Sequence, residues 1–114
     1  MAIFTKREKD GIVIIDVSGP IVFGPDCVEL HQFIEGLCNE TCANIAFNME
    51  KAHPLDSSAI GEIILGYSKL RECGKMLRLF SLTKHGEHIL RLTQIDRIIK
   101  IHPNEQDALE RFRK

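Results

Sequence analysis

Asp56-Ser57-Ser58-Ala59-Ile60-Gly61 stands at a handover in the chain. Before it, Asn44-Ile45-Ala46-Phe47-Asn48-Met49 reads as a buried strand, followed by the loop Lys51-Ala52-His53-Pro54-Leu55. After it, Ile60, Ile63, Ile64, Tyr67 and Leu70 recur at offsets that make one face of a helix. A carboxylate and two hydroxyls therefore fall at a helix N-terminus, where unpaired backbone N–H groups and the positive end of the helix dipole concentrate. Such residues cap a helix. The same position suits a phosphate.

Outward from this point, the chain alternates strands and helices. Gly74 suits the left-handed residue that follows a helix, and residues 76–80 read as the next strand. Thr83 begins a shorter helix carrying Ile89, Leu90 and Leu92, and residues 98–101 read as a further strand. Asn104 caps a last helix, with Glu105 and Asp107 in its first turn and Ala108, Leu109 and Phe112 as its apolar positions. Toward the N-terminus, Pro25-Asp26 opens a helix to about Asn39, with Val28, Leu30, Phe33, Ile34 and Leu37 apolar. Asp10-Gly11 is a hairpin signal between strands at roughly 3–9 and 12–17, and Gly19-Pro20 breaks the second. Ile21-Val22-Phe23 is either a short core strand or an apolar patch facing a partner; the first reading is the simpler. The expected fold class is α/β, with a mixed central sheet of about four to five strands and about four helices.

The 114 residues suffice for one domain, expected over 1–114. The 15 basic and 16 acidic residues leave a net charge of −1, without the basic excess of a protein that binds nucleic acid. No apolar run approaches the roughly 20 residues that span a bilayer, and charge at Lys6-Arg7 comes too early for a signal peptide. The expectation is a cytoplasmic protein with no membrane insertion and no nucleic-acid partner. The four cysteines, Cys27, Cys38, Cys42 and Cys73, form no CxxC, and neither they nor the five histidines show zinc-ligand spacing. Free thiols are expected, with no metal and no cofactor. The chain has no G-x-S-x-G, P-loop or G-x-G-x-x-G, and no base that would activate Ser57 is evident from spacing, so no enzyme is expected.

Taken together, these elements resemble the STAS domain of bacterial anti-sigma-factor antagonists. The resemblance rests on the N-terminal hairpin, Gly19, the strand from Ile45 to Met49, Asp56-Ser57-Ser58 with Gly61 one turn on, Gly74-Lys75, and Leu92-Thr93-Gln94-Ile95-Asp96-Arg97-Ile98. It implies that the dephosphorylated protein binds an anti-sigma factor that is a serine protein kinase, freeing a sigma factor for transcription. The kinase then phosphorylates the serine after the aspartate, and a phosphatase resets the switch. By position that serine is Ser57, with Ser58 the second choice, and the partner-binding residues are Asp56, Ser57, Ser58, Ala59 and Gly61. Where such antagonists commonly carry an acidic residue after the second strand, this chain has Pro20-Ile21-Val22. The alternative implied is a STAS accessory or scaffold subunit of a lipid-transport or stress-signalling complex.

Overall fold

The computed structural model describes residues 2–112. Its elements are β1 (Ile3–Lys9), β2 (Ile12–Ser18), α1 (Pro25–Leu37), β3 (Asn44–Lys51), α2 (Ser57–Glu72), β4 (Met76–Phe80), α3 (Lys84–Leu92), β5 (Ile101–His102) and α4 (Glu105–Phe112). The strands form one five-stranded sheet in the order β1-β2-β3-β4-β5. β1 and β2 are antiparallel across the Asp10-Gly11 turn, and every later pairing is parallel. This is the mixed α/β sheet with four helices that the strand–helix alternation implies.

Side-chain alternation divides the core between the two faces of the sheet. Val13, Ile15, Val17, Ile45, Phe47, Met49, Leu77 and Leu79 point to the side covered by α1, α2 and α3. Ile12, Ile14, Ala46 and Phe80 point to the other, where Ala108 and Leu109 of α4 cover them. β2 is buried on both faces because it lies inside the sheet, which is why it reads as an unbroken β-branched run. On the α4 side, Arg7 forks onto Asp16 at 2.8 and 3.1 Å and also pairs with Glu105, while Asn48 donates to Asp16 at 2.8 Å. Strand β1, strand β2 and the start of α4 are thereby tied through one guanidinium.

Helices α1 and α2 pack side by side, and Gly66 makes that possible. A Cβ at Gly66 would lie 2.4 Å from Ile34 Cδ1, so a larger residue would require the Ile34 side chain or the helix to shift. At their C-terminal ends a disulfide joins Cys38 to Cys73, with Cα atoms 5.7 Å apart. This corrects the expectation of four free thiols; only Cys27 and Cys42 are free. Spacing of 35 residues carried no pairing signal, because the two cysteines meet only once both helices lie on the same face of the sheet. α1 ends at Leu37, so Cys38 and Cys42 share no helix face.

Two further expectations change. Residues 98–100 are not strand: the N–H groups of Ile98 and Ile99 both turn back to the Ile95 carbonyl, at 2.8 and 2.9 Å, and β5 starts only at Ile101. Val28 and Leu92, apolar residues read at helical spacing, are 55% and 69% exposed. Ile21 does lie in the core, but it makes only an isolated bridge to Leu55, and Phe23 two residues on is 81% exposed.

Candidate functional site: the mouth of helix α2

The helix begins where Asp56, in extended conformation, turns the chain into α2. One carboxylate oxygen of Asp56 accepts from the Ala59 N–H at 3.0 Å, capping the first turn. The other accepts from the Phe23 N–H at 2.8 Å. Asp56 therefore does more than cap: it fastens the loop between β2 and α1 to the start of α2. Those backbone donors, Phe23 first and Ala59 second, hold its carboxyl below the ordinary aspartate range. Two backbone bonds extend the seam, from Ile21 N–H to the Pro54 carbonyl at 3.0 Å and from Asp56 N–H to the Ile21 carbonyl at 3.4 Å.

Ser57 is the first residue of α2 and is exposed. Ser58 is half-buried and turns toward α1. Ala59 is fully buried, so its side chain belongs to the core and only its N–H takes part, through Asp56. Gly61 lies one turn further along with nothing within 4 Å of the position its Cβ would occupy. It thus leaves bare helix backbone facing an open groove of about 620 Å³, walled by Phe23, Val28, Ser58, Glu62 and Leu65.

Of the apolar wall of this groove, reasoning from sequence raised Phe23 only as the less simple reading and missed Val28 and Leu65. Phe23, Val28 and Leu65 are 81%, 55% and 59% exposed and come from three separate elements. Large apolar side chains gathered beside a polar helix mouth mark an interaction surface more than a folding requirement. The sequence signal for Phe23 is the glycine after it: Gly24 readily takes the positive φ, here 113°, with which the chain enters α1. Across the groove, His31 of α1 lies 3.1 Å from Glu62 of α2 and 3.0 Å from Glu35. A second hollow of about 290 Å³ continues along the same helix pair past Ile34, Gly66 and Lys69.

Among the described residues, no group of three His, Cys, Asp or Glu side chains is placed to hold a metal ion. Among them too, no helix is long and apolar enough to cross a membrane.

The STAS domain family model matches residues 4–108. No curated protein sequence matches the chain. Among solved structures, an anti-sigma factor antagonist from Mycobacterium paratuberculosis superposes with a TM-score of 0.87 at 19% identity, covering 100% of this chain and 96% of its own. An anti-sigma-factor antagonist (STAS) domain protein from Planctomyces limnophilus gives 0.82 at 14% identity, with 97% and 98% covered. The Bacillus cell fate determinant SpoIIAA, in its phosphorylated form, gives 0.70 at 15% identity, with 96% and 99% covered. At these identities the likeness is one of fold. The strand order, the capped mouth of α2 and the match over nearly the whole chain agree: this chain belongs to the STAS domain family.

Proposed function

We propose that the protein is an anti-sigma-factor antagonist switched by phosphorylation of Ser57. Without phosphate it docks on an anti-sigma factor that is a serine protein kinase, releasing a sigma factor for transcription; with phosphate it lets go; a phosphatase restores it. The observation that carries this reading is the exposed Ser57 hydroxyl at the start of α2, beside an open groove with apolar walls. The structural neighbours named anti-sigma factor antagonists, and the Bacillus cell fate determinant in its phosphorylated form, support it.

The geometry divides the labour between the two serines. Kinase catalysis is chiefly positioning and charge stabilisation, and the kinase brings the metal and the base. The substrate needs a reachable hydroxyl and a surface to dock by. Ser57 offers the first; Ser58, Gly61, Phe23 and Leu65 offer the second. Phosphate on Ser57 adds about −1.5 to −2 charges. In the isolated protein the helix dipole favours that charge by roughly 0.3–1 kcal/mol, so the fold survives. In a docked complex the phosphate would be stripped of water next to the Asp56 carboxylate, whose oxygens are already engaged by Phe23 and Ala59. A mispaired buried charge at an interface costs roughly 2–5 kcal/mol, so the complex yields before the fold does.

The test is intact-mass and peptide analysis of protein purified from its native cells, with Ser57→Ala beside the wild type. A phosphate on the peptide bearing Ser57, absent from the variant, is expected. Unmodified protein under every growth condition, or phosphate retained in Ser57→Ala, would overturn the reading.

A further inference from the structure

The Cys38–Cys73 bond lies at the opposite end of the α1/α2 pair from Ser57, and nothing in the proposed switch uses it. It joins residues immediately after the last turn of each helix, so it closes the pair as a clasp. The two residues differ in exposure: Cys73 is exposed, whereas Cys38 is half-buried. One cation stands close in sequence to Cys73 and reaches the segment after Cys38. Lys75, two residues beyond Cys73, is 7% exposed, and its ammonium donates to the Cys42 carbonyl at 2.7 Å and also to the Glu40 carbonyl, on the segment that follows Cys38. Lys75 thus ties the chain that follows Cys73 to the chain that follows Cys38. Between the clasp and the helix mouth, the two helices are held close by the Ile34–Gly66 approach and by His31 with Glu62.

We propose that Cys38 and Cys73 form a thiol–disulfide exchange site, reduced by a dithiol, that fastens and releases the C-terminal ends of α1 and α2. The attacking thiolate of the dithiol bonds to the sulfur of Cys73, the more exposed residue of the pair, and the Cys38–Cys73 bond breaks, leaving Cys38 as a thiolate that takes up a proton. The second thiolate of the dithiol then attacks its own sulfur in the mixed disulfide and displaces Cys73, which is protonated in turn. The dithiol leaves as a disulfide, and the protein has gained two electrons and two protons. Reoxidation by a disulfide of the same class reverses each step. The inference stands independently of Ser57: it concerns the far end of the groove and needs no phosphate.

Thiol alkylation in denaturant, followed by intact-mass measurement, reads the state directly. Full-length protein treated with oxidised dithiothreitol should take up label at Cys27 and Cys42 only, and after reduced dithiothreitol at all four cysteines. Amide exchange in residues 34–40 and 68–75 should quicken on reduction, while β2 and β3 keep their protection. The denaturation midpoint of the wild type should fall on reduction; that of Cys38→Ser should already be low and no longer respond, and Cys42→Ser should respond as the wild type does. Labelling of all four cysteines after the oxidant, unchanged exchange in both segments, or loss of the response in Cys42→Ser instead of Cys38→Ser would each overturn the proposal.

Discussion

Two glycines on one helix give the most discriminating test of the packing. Gly61 and Gly66 both lie within α2, so replacing either by Ala gains about the same helix propensity, roughly 0.8–1 kcal/mol. Their surroundings differ. The Cβ of an Ala at position 61 meets nothing within 4 Å, so Gly61→Ala should stabilise the protein by close to that full amount. At position 66 the new methyl would lie 2.4 Å from Ile34 Cδ1 and 3.1 Å from Ile34 Cγ2, so the buried Ile34 side chain must leave its present position. Overpacking of that kind costs about 1–3 kcal/mol. Propensity cancels in the comparison, so Gly66→Ala should fall below Gly61→Ala by about 1–3 kcal/mol, some 4–12 °C in Tm at ~4 °C per kcal/mol. Urea unfolding with unchanged m-values is the assay. A cycle with Ile34→Val, which removes the offending Cδ1, should show favourable coupling of at least about 0.5 kcal/mol to Gly66→Ala and none to Gly61→Ala. Equal stability of the two alanine variants, or no coupling at position 34, would refute the close α1/α2 approach. Gly61→Ala has a second use: it puts a methyl on the proposed docking surface while strengthening the fold, so weakened partner binding in that variant cannot be blamed on unfolding.

Three further outcomes follow from the contacts. Asp56→Ala should cost about 1–2 kcal/mol for the lost cap, and amide exchange should show Phe23 losing protection as the loop before α1 comes free of α2. Asp16 and Glu105 are both held below their ordinary values, chiefly by hydrogen bonds from Arg7. Carboxyls depressed in the folded state contribute stability above their unfolded pKa, about 4, and lose it as pH falls through the lower folded values. Unfolding free energy measured from about pH 7 down to about pH 2 should therefore drop on acidification, with a shallower fall in Arg7→Met. Removing the Cys38–Cys73 bond frees a loop spanning 35 residues, which by chain entropy is worth about 4 kcal/mol, so Cys38→Ser measured against the oxidised wild type in urea should lose stability of that order.

The mouth of α2 was readable from local chemistry, because Asp-Ser-Ser before an apolar-periodic run satisfies rules that act within one turn. The hairpin, α1, β3, β4 and the Thr83 and Asn104 caps were readable for the same reason; Thr83 accepts from Gly86 N–H at 3.0 Å and Asn104 from Asp107 N–H at 2.8 Å. What sequence reasoning lost depends on elements meeting across the fold. The groove wall needs Phe23, Val28 and Leu65 from three elements to be brought together, and helical spacing alone does not separate the exposed Val28 from its buried neighbours. Cys38 and Cys73 meet only when α1 and α2 share a face. Ile98-Ile99 looks like strand because β-branched residues favour one, yet the preceding turn takes their N–H groups first. The acidic residue absent after Gly19 is a local departure whose setting the structure supplies: Asp56 holds the backbone N–H at Phe23 in that same loop.

The central claim is that charge placed on Ser57 breaks association without breaking the fold. The decisive measurement is a calorimetric titration against a serine-kinase anti-sigma factor from the same genome, with the wild type unmodified and then phosphorylated by that kinase, alongside a urea unfolding curve for each form. The account predicts that phosphorylation weakens binding at least tenfold, about 1.4 kcal/mol, while the unfolding curves differ by less than about 1 kcal/mol, within what a charge at a helix mouth contributes. Equal affinity of the two forms, or a phosphorylated protein that has lost its fold, would contradict it.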